Sequence, residues 1–434
     1  MRRDMSRRDL MAAAGAAALG GLAATRQAQA DPLKGPTAKL VDGKVIQPQR
    51  ELPVLQTTDV LVVGGGPAGV AAAIAAKRTG AATTLVERYG HLGGLWTGGL
   101  VLLVDGLNGD GGKQVCCGVG EEMMQRLDKL DRGIVNRRQG RHPTVDAEAL
   151  KYVMVEMLRE AEVQLVLHCW GVDAIVDGTT AKGAVFESKS GRQAILAKQT
   201  IDATGDGDIF AAAGAAFKHV KFRTGLVHRI GNLDKVDPAK TKGQKKPKGL
   251  GGVTPVQGVR WVNMQGPAID GLDVAELTRL EMNHRRHIWN SVQRLRQSPG
   301  YEQVVLLETA PQLGVRITRL LDGVRQLTFR DVMARRTFPD VIGYGGVWTG
   351  KHPQWQIPYG ALVPKTVDNV LAAGRCISAE VRMVDLMRVI APCYVMGHAA
   401  GVAAAIAVKD GCRARDVDMP KLQGILKQQG AFLG

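Results

Sequence analysis

Aromatic residues and cysteines are scarce in this chain: seven Phe, six Trp and six Tyr make up 4% of its 434 residues, and there are six Cys. The cysteines, at 116, 117, 169, 376, 393 and 412, form no CxxC, no CxxCH and no dense cluster. That spacing excludes a haem attached by cysteine and an iron–sulfur centre, and it removes the main signature of thiol–disulfide chemistry. Cys116 and Cys117 could form a strained redox pair, but a core of this size needs no disulfide, so two reduced neighbouring thiols are expected. The net charge is +16, yet no basic helix is interleaved with stacking aromatics, so no nucleic-acid partner is expected. Its densest basic run, Lys240 to Lys248 (KTKGQKKPK), reads as a solvated loop. Beyond residue 30 no unbroken apolar run reaches about 18 residues, so no integral membrane span is expected in the mature chain.

What is present begins at the N-terminus. Ser6-Arg7-Arg8-Asp9-Leu10 precedes an apolar, glycine- and alanine-rich run from Met11 to Ala24 and a small-residue end, Ala28-Gln29-Ala30. This reads as a twin-arginine export signal cleaved after Ala30, which predicts export by the twin-arginine machinery to the periplasm or beyond. Losing its five arginines and two aspartates lowers the net charge to +13.

The stretch from Thr58 to Gly94 carries the strongest chemistry. An apolar strand, Val60 to Val63, runs into Gly64-Gly65-Gly66-Pro67-Ala68-Gly69, which opens an alanine-rich helix ending near Arg78. Gly64 permits a tight turn, Gly66 lets the backbone approach a pyrophosphate, and Gly69 allows helix and strand to pack closely, with the helix N-terminus facing the phosphate charge. A second strand, Thr83 to Val86, ends at Glu87, whose carboxylate suits both hydroxyls of an adenosine ribose. Strand, glycines, helix, strand and acid in register predict dinucleotide binding.

Three later segments bear on which dinucleotide. Thr200 to Ala203 leads into Thr204-Gly205-Asp206-Gly207-Asp208, Val370 to Ala373 leads into Gly374-Arg375, and Ala391 to Val408 is an alanine- and glycine-rich helix whose free amides could face an electron-rich ring edge. A nicotinamide dehydrogenase needs none of these.

With these segments the chain resembles the FAD-dependent oxidoreductases built on the glutathione-reductase-like flavoprotein fold. The resemblance rests on VERYGHLGGLWTGGLV, IDATGDGD, LGVRITRLLDG, IPYGALVPKTVDNVLAAGRCIS and RVIAPCYVMGHAAGVAAA. It implies an α/β, Rossmann-like FAD/NAD(P)-binding domain with an inserted substrate domain. It also implies non-covalent FAD. The residues implied to hold it are Gly64, Gly66, Pro67, Ala68, Gly69, Glu87, Arg88, Gly94, Leu95, Val172 beside adenine, Ala203, Thr204, Gly205, Gly374 and Arg375. Many relatives place a ribitol-holding acid after the late glycine; Arg375 stands there, so the Gly374 backbone is the expected ribitol contact.

The expected organisation is a signal over 1–30, a proline-containing linker over 31–56, an FAD-binding domain over 57–225 and 356–434, and a substrate or cap domain over 226–355. A helix is expected from Asp146 to Ala161, then strands at Trp170 to Val176, Lys182 to Ser188 and Arg192 to Leu196. The insertion should hold a long helix, Val274 to Arg296, and apolar runs at Gln303 to Leu307 and Arg316 to Leu321.

The catalytic residues are less constrained. Gly343 to Pro364 gathers Tyr344, Trp348, Trp355, Tyr359 and His352, so that loop could cover the flavin with His352 as a base. Arg388, just before the late helix, could add charge near the reduced ring. His228, Arg229, Arg316 and Arg319 are further candidates for gripping a carboxylate or carbonyl, His91 could touch the cofactor, and His398 reads as a core histidine. The expected activity is hydride transfer between a small organic substrate and flavin N5, with an alcohol or amine carbon as the favoured donor. The alternatives are a flavin-dependent ene-type reductase fed by a respiratory partner and an electron-relay subunit without a substrate of its own. Each of the three leaves room for an external protein that accepts or donates electrons.

Overall fold

The computed structural model describes residues 37–137, 142–348 and 350–434. The leader expectation over 1–30 therefore lies outside the described residues. The described residues fall into two compact units: the first comprises residues 37–53 with Lys189–Arg192, and the second comprises the described residues from Val54 to Ser188 and from Gln193 to Gly434. In the first, Lys39–Val41 pairs antiparallel with Lys44–Ile46, so the expected linker contains a short hairpin with Asp42 and Gly43 at its turn.

The second unit is built on a seven-stranded sheet. Its strands are β1 (Val54–Val63), β2 (Thr83–Val86), β3 (Gln164–Val166), β4 (Trp170–Asp177), β5 (Thr180–Ser188), β6 (Gly191–Asp202) and a late strand, Val370–Ala372. The order is β3-β2-β1-β6-β5-β4, with the late strand also paired to β6. β1 runs parallel to β2 and β6, β2 to β3, and β6 to the late strand, whereas β4 and β5 are antiparallel. Val60, Leu61, Val62 and Val63 are all buried, as a strand covered on both faces requires. The expected strands at Arg192 to Leu196 and Thr200 to Ala203 are one continuous β6. Between them Lys198 is exposed and pairs with Asp59 at 2.8 Å, while Ala197 and Gln199 are buried and the pairing with β1 continues from Ala197 through Gln199 to Asp202.

Helix α1 (Pro67–Arg78) follows β1, and α2 (Ala147–Glu160) is capped by Asp146, which accepts from the Glu148 and Ala149 amides at 3.0 Å. In the insertion, His228–Gly231, Gly252–Val253, Arg260–Val262 and Val305–Thr309 form an antiparallel sheet. Helix α3 (Val274–Arg296) turns Leu280, His284, Ile288, Val292 and Leu295 inward. A hairpin, Val341–Gly345 with Trp355–Pro358, leads back to the parallel sheet.

Helix α4 (Ile390–Asp410) has no polar face. It is buried from Ile390 to Ala407 and lies against α1, which is itself buried from Ala68 to Ala76. A Cβ on Gly397 or Gly401 would lie 1.9 or 2.1 Å from the carbonyl oxygens of Ala68 and Ala72, so glycine alone permits this backbone approach. Among the described residues α4 is the one helix long and apolar enough to cross a membrane, and the fold buries it completely.

Candidate flavin and substrate cleft

The cleft starts where β1 meets α1. Gly64 has φ +105°, and a Cβ there would sit 2.4 Å from the Ala203 oxygen; a Cβ on Gly69 would sit 1.7 Å from the Gly64 oxygen. These two glycines let the chain turn and the helix close onto it. Gly66 differs, because a Cβ there would meet nothing within 4 Å; its face opens on the cleft. Gly66 is also the N-cap of α1 without a side-chain cap, leaving the first amides free for an anion.

Glu87, 5% exposed, fixes the end of β2. Its Oε2 accepts from the Gly65 amide at 2.6 Å and its Oε1 from the Tyr89 amide at 2.9 Å, leaving a lone pair on each oxygen for hydroxyl donors. Arg88 stacks over Tyr89 and Trp170, 4.8 and 5.3 Å from the ring centroids. Across the cleft, Asp202 caps the next turn by accepting from the amides of Thr204, Ile209 and Phe210. Burial, then the charge of Asp208, pushes Asp202 up to about 6.

Gly374, at φ +93°, brings Arg375 beside Gly205, and the guanidinium pairs with Asp206 at 3.1 Å. Burial opposes that guanidinium's charge, and the Asp206 carboxylate outweighs it and raises the pKa. Arg375 Nε is nevertheless buried without a partner.

Gly64, Gly66, Pro67, Ala68, Glu87, Arg88, Gly94, Leu95, Ala203, Thr204, Gly205, Gly374 and Arg375 all line this one cleft. Two expected residues do not. Gly69 lies beneath the turn as packing, and Val172, 42% exposed on β4, lies one residue past Gly171, which does face the adjoining smaller cleft. Both Trp170 and Gly171 line that smaller cleft, and the pairing of β4 with β5 shifts register between Gly171 and Asp173, so Val172 sits at an irregular position in the strand. An uncapped helix start, an open Gly66 face, a pinned carboxylate and an unsatisfied guanidinium nitrogen fit a flavin dinucleotide.

A family model described as FAD dependent oxidoreductase matches residues 59–426. The chain belongs to the FAD-dependent oxidoreductase family. It is an enzyme of the oxidoreductase type, and FAD is its cofactor. Among solved structures, a geranylgeranyl bacteriochlorophyll reductase-like protein from Thermoplasma acidophilum is similar at 15% identity and TM-score 0.47, over 86% of this chain and 83% of that one. The p-nitrophenol 4-monooxygenase of Pseudomonas putida is similar at 15% and 0.43, over 86% and 84%. A myxobacterial chondrochloren halogenase is similar at 12% and 0.43, over 86% and 79%.

The far end of the oxidoreductase's cleft is lined by Asp105, Val227, Trp261, Asn263, Gln265, Gln312, Arg316, Trp348 and Arg388, next to the start of α4 at Val389 and Ile390. Asp105 sits in a turn packed on that start, since a Cβ on Gly106 would touch Val389 and Pro392. Burial raises the Asp105 pKa, against the opposing pulls of His142, 3.9 Å away, a hydrogen bond from Trp348 and the charge of Arg388. Arg388 pairs with Asp385 at 2.9 Å, and its Nε is buried without a partner. Arg316 donates to the Arg223 carbonyl at 2.8 Å, and burial with the charge of Arg388 pushes it down to about 10.

His352 is not at this end. It is 7% exposed and does not line the cleft. Its Nδ1 lies 2.9 Å from the Pro353 carbonyl, and its Nε2 accepts from the Trp348 amide at 3.4 Å. Both ring nitrogens are engaged by backbone, so the expected base is a strut for the loop that presents Trp348. Trp355 and Tyr359, from the same aromatic stretch, are core residues.

Other candidates are also structural. Arg229 is held by Asp146 at 3.6 Å and by Glu308, and Arg319 by the Asp206 carbonyl and Asp208 at 2.8 and 2.9 Å. His91 stacks on Tyr89 outside the lining. His398 is a core histidine as expected: its Nε2 lies 2.9 Å from Gln429 Oε1, and burial pushes it down to about 4. His228 is pushed down to about 4 by burial and lines a separate pocket against α3. All six cysteines are free; Cys116 donates to the Gly106 and Tyr344 carbonyls, and burial pushes Cys117 up to about 11.

Sequence reasoning missed Asp105 and Gln312. The signal for Asp105 was thin: a lone carboxylate closing the apolar run Leu100 to Val104.

Proposed function

We propose that this oxidoreductase moves a hydride between a small organic substrate and the flavin, with oxidation of an alcohol or amine carbon as the favoured direction. The observation that carries this reading is Asp105, a carboxylate held above its ordinary range by burial on the wall of the same cleft as Arg388 and the start of α4. Taking a hydride from an alcohol or amine carbon requires the loss of a proton from oxygen or nitrogen, and a carboxylate whose basicity burial raises suits that task. Bound FAD supplies the hydride acceptor at N5. Arg375, Glu87 and the first amides of α1 hold the dinucleotide. Arg388 and the amides opening α4 offset negative charge at the ring end of the cleft. Trp348, positioned through His352, holds the Asp105 carboxylate by a hydrogen bond.

We read the parallel sheet with its antiparallel β4–β5 flap as glutathione-reductase type, residues 57–225 and 356–434 as the FAD-binding domain and 226–355 as the substrate domain. The twin-arginine leader, with the mature protein in the periplasm or secreted and an external electron partner, completes the proposal.

Anaerobic mixing with a panel of alcohols and amines tests it. Bleaching of the flavin absorbance by one of them, slowed by Asp105→Asn, supports dehydrogenation. A second reading, an ene-type reductase with Arg388 delivering the proton, is favoured by the unpartnered Arg388 Nε. Reoxidation of reduced flavin by enoates, with no bleaching by alcohols or amines, would replace the first reading with the second. Neither response marks an electron-relay subunit.

A further inference from the structure

The substrate end of the cleft has more hydrogen-bond donors than acceptors to meet them. Among the described residues, Arg316 makes no ion pair; its one hydrogen bond goes from Nη1 to the Arg223 carbonyl, leaving the rest of the guanidinium fork uncommitted. Arg388 Nε and Gln312 Nε2 are both buried without a partner, and the Gln312 residue is only 5% exposed. All three side chains line the same cleft. Unsatisfied buried donors are costly, the more so when charged, so such a set persists where a ligand supplies the acceptors.

The charges at this end indicate how much negative charge is wanted. Arg223, Arg316 and Arg388 lie together, with Asp385 paired to both Arg223 and Arg388, at 3.3 and 2.9 Å. Asp105 is the acid of this group that lines the cleft, with Arg223 and Asp385 lying outside the lining. Arg223 and Asp385 offset each other, so on the wall Arg316 and Arg388 against Asp105 leave one positive charge when Asp105 is ionised. Burial and the neighbouring Arg388 already depress the Arg316 pKa, the mark of a cation whose charge is not compensated. A monoanion offsets this charge, whereas a dianion would leave a surplus.

We infer that the substrate carries a carboxylate, received by the free edge of Arg316 with Gln312 and Arg388 as further donors. The inference rests on reading this cleft as the oxidoreductase's substrate site. A planar carboxylate matches the guanidinium fork with two parallel hydrogen bonds, which a neutral carbonyl cannot exploit as fully. Anchoring the carboxylate on the Arg316 side leaves the rest of a small molecule to reach towards Asp105 and the start of α4. The substrate class is therefore a small hydroxy or amino acid, or a related carboxylate, oxidised at a carbon near its acid group.

The test compares acids with their amides. Acetate against acetamide, and benzoate against benzamide, are titrated into the full-length protein, with binding read by calorimetry and by perturbation of the flavin absorbance. The wild-type protein should bind each acid more than tenfold tighter than its amide, as expected of a charge-assisted pair. Arg316→Gln should bring acid and amide to similar affinity, Arg316→Lys should restore part of the preference, and flavin content should be unchanged in both variants. Equal binding of acid and amide by the wild type, no binding of either, or a preference retained in Arg316→Gln overturns the inference. A yellow, photoreducible protein without acid preference sinks this inference alone. Acid preference without flavin bleaching by any alcohol, amine, hydroxy acid or amino acid sinks the proposed dehydrogenation alone.

Discussion

The Gly65 amide donates to Glu87 Oε2 at 2.6 Å, so the carboxylate expected at a ribose also ties the glycine turn to the end of β2. One side chain thus serves both the fold and the cofactor. Glu87→Ala should lower FAD affinity by roughly ten- to a hundredfold, as removal of charge-assisted bonds worth about 1.5–3 kcal/mol predicts. Glu87→Asp should lose less. Flavin fluorescence on titration of the apoprotein measures both, and equal affinity in all three proteins would remove Glu87 from the site.

Gly66 and Gly69 separate cofactor contact from packing. A methyl group at Gly66 meets only the open cleft, so Gly66→Ala should keep the melting temperature of the FAD-free protein while weakening FAD binding. At Gly69 the added carbon would overlap the Gly64 carbonyl, so Gly69→Ala should destabilise the apoprotein by about 1–3 kcal/mol, the usual cost of overpacking. Thermal unfolding beside FAD titration distinguishes them.

The raised pKa of Asp105 sets the sign of a pH effect. Below that pKa the carboxyl is protonated and cannot accept a proton, so substrate oxidation should rise with pH along a limb displaced above the usual carboxylate value of about 3.9. Asp105→Asn should abolish that limb and lower kcat by about 10²–10⁴. Stopped-flow flavin reduction across the pH range reads both. A wild-type limb that survives in Asp105→Asn assigns the proton to another group.

His352 should behave as a support. His352→Ala should raise KM as Trp348 loses its backbone anchor, while the pH profile of kcat keeps its shape. A lost ionisation in that profile would return His352 to the chemistry.

The export proposal turns on Arg7 and Arg8. Replacing both with lysine keeps the charge and the apolar run, so a signal read by charge and hydrophobicity alone would survive, whereas a twin-arginine signal should leave FAD-loaded, uncleaved protein in the cytoplasm. Cell fractionation decides it, with normal processing after Ala30 contradicting the proposal.

The cofactor end was legible in the sequence because its constraints are local. Gly64, Gly66, Gly69 and Glu87 lie within 24 residues, and sterics between neighbours fixes what each must be. The helices at Pro67–Arg78 and Val274–Arg296 followed from composition and spacing in the same way. The substrate end was not legible. Asp105, Arg316 and Arg388 come from three distant loops, and only the packing of the Gly106 turn on α4 brings the first to the last. Aromatic richness pointed to the loop around His352, but whether that imidazole faces a cavity or its own backbone depends on turn geometry that residue types do not encode.

Helix α4 bears on how such a chain could leave the cytoplasm. Its 21 residues match a membrane span in length and hydropathy, and only contact with α1 and the surrounding core hides them. Threaded through a translocon as an extended chain, this segment would tend to slip sideways into lipid and strand the protein partway. Only a chain that has already closed α4 against α1 presents no such stop signal. The cofactor-holding turn and the helix that must stay hidden are joined at Ala68, whose carbonyl lies against Gly397. Folding of the chain around α1 therefore conceals the segment, and a variant that loosens this contact, such as Gly397→Ala, would expose it.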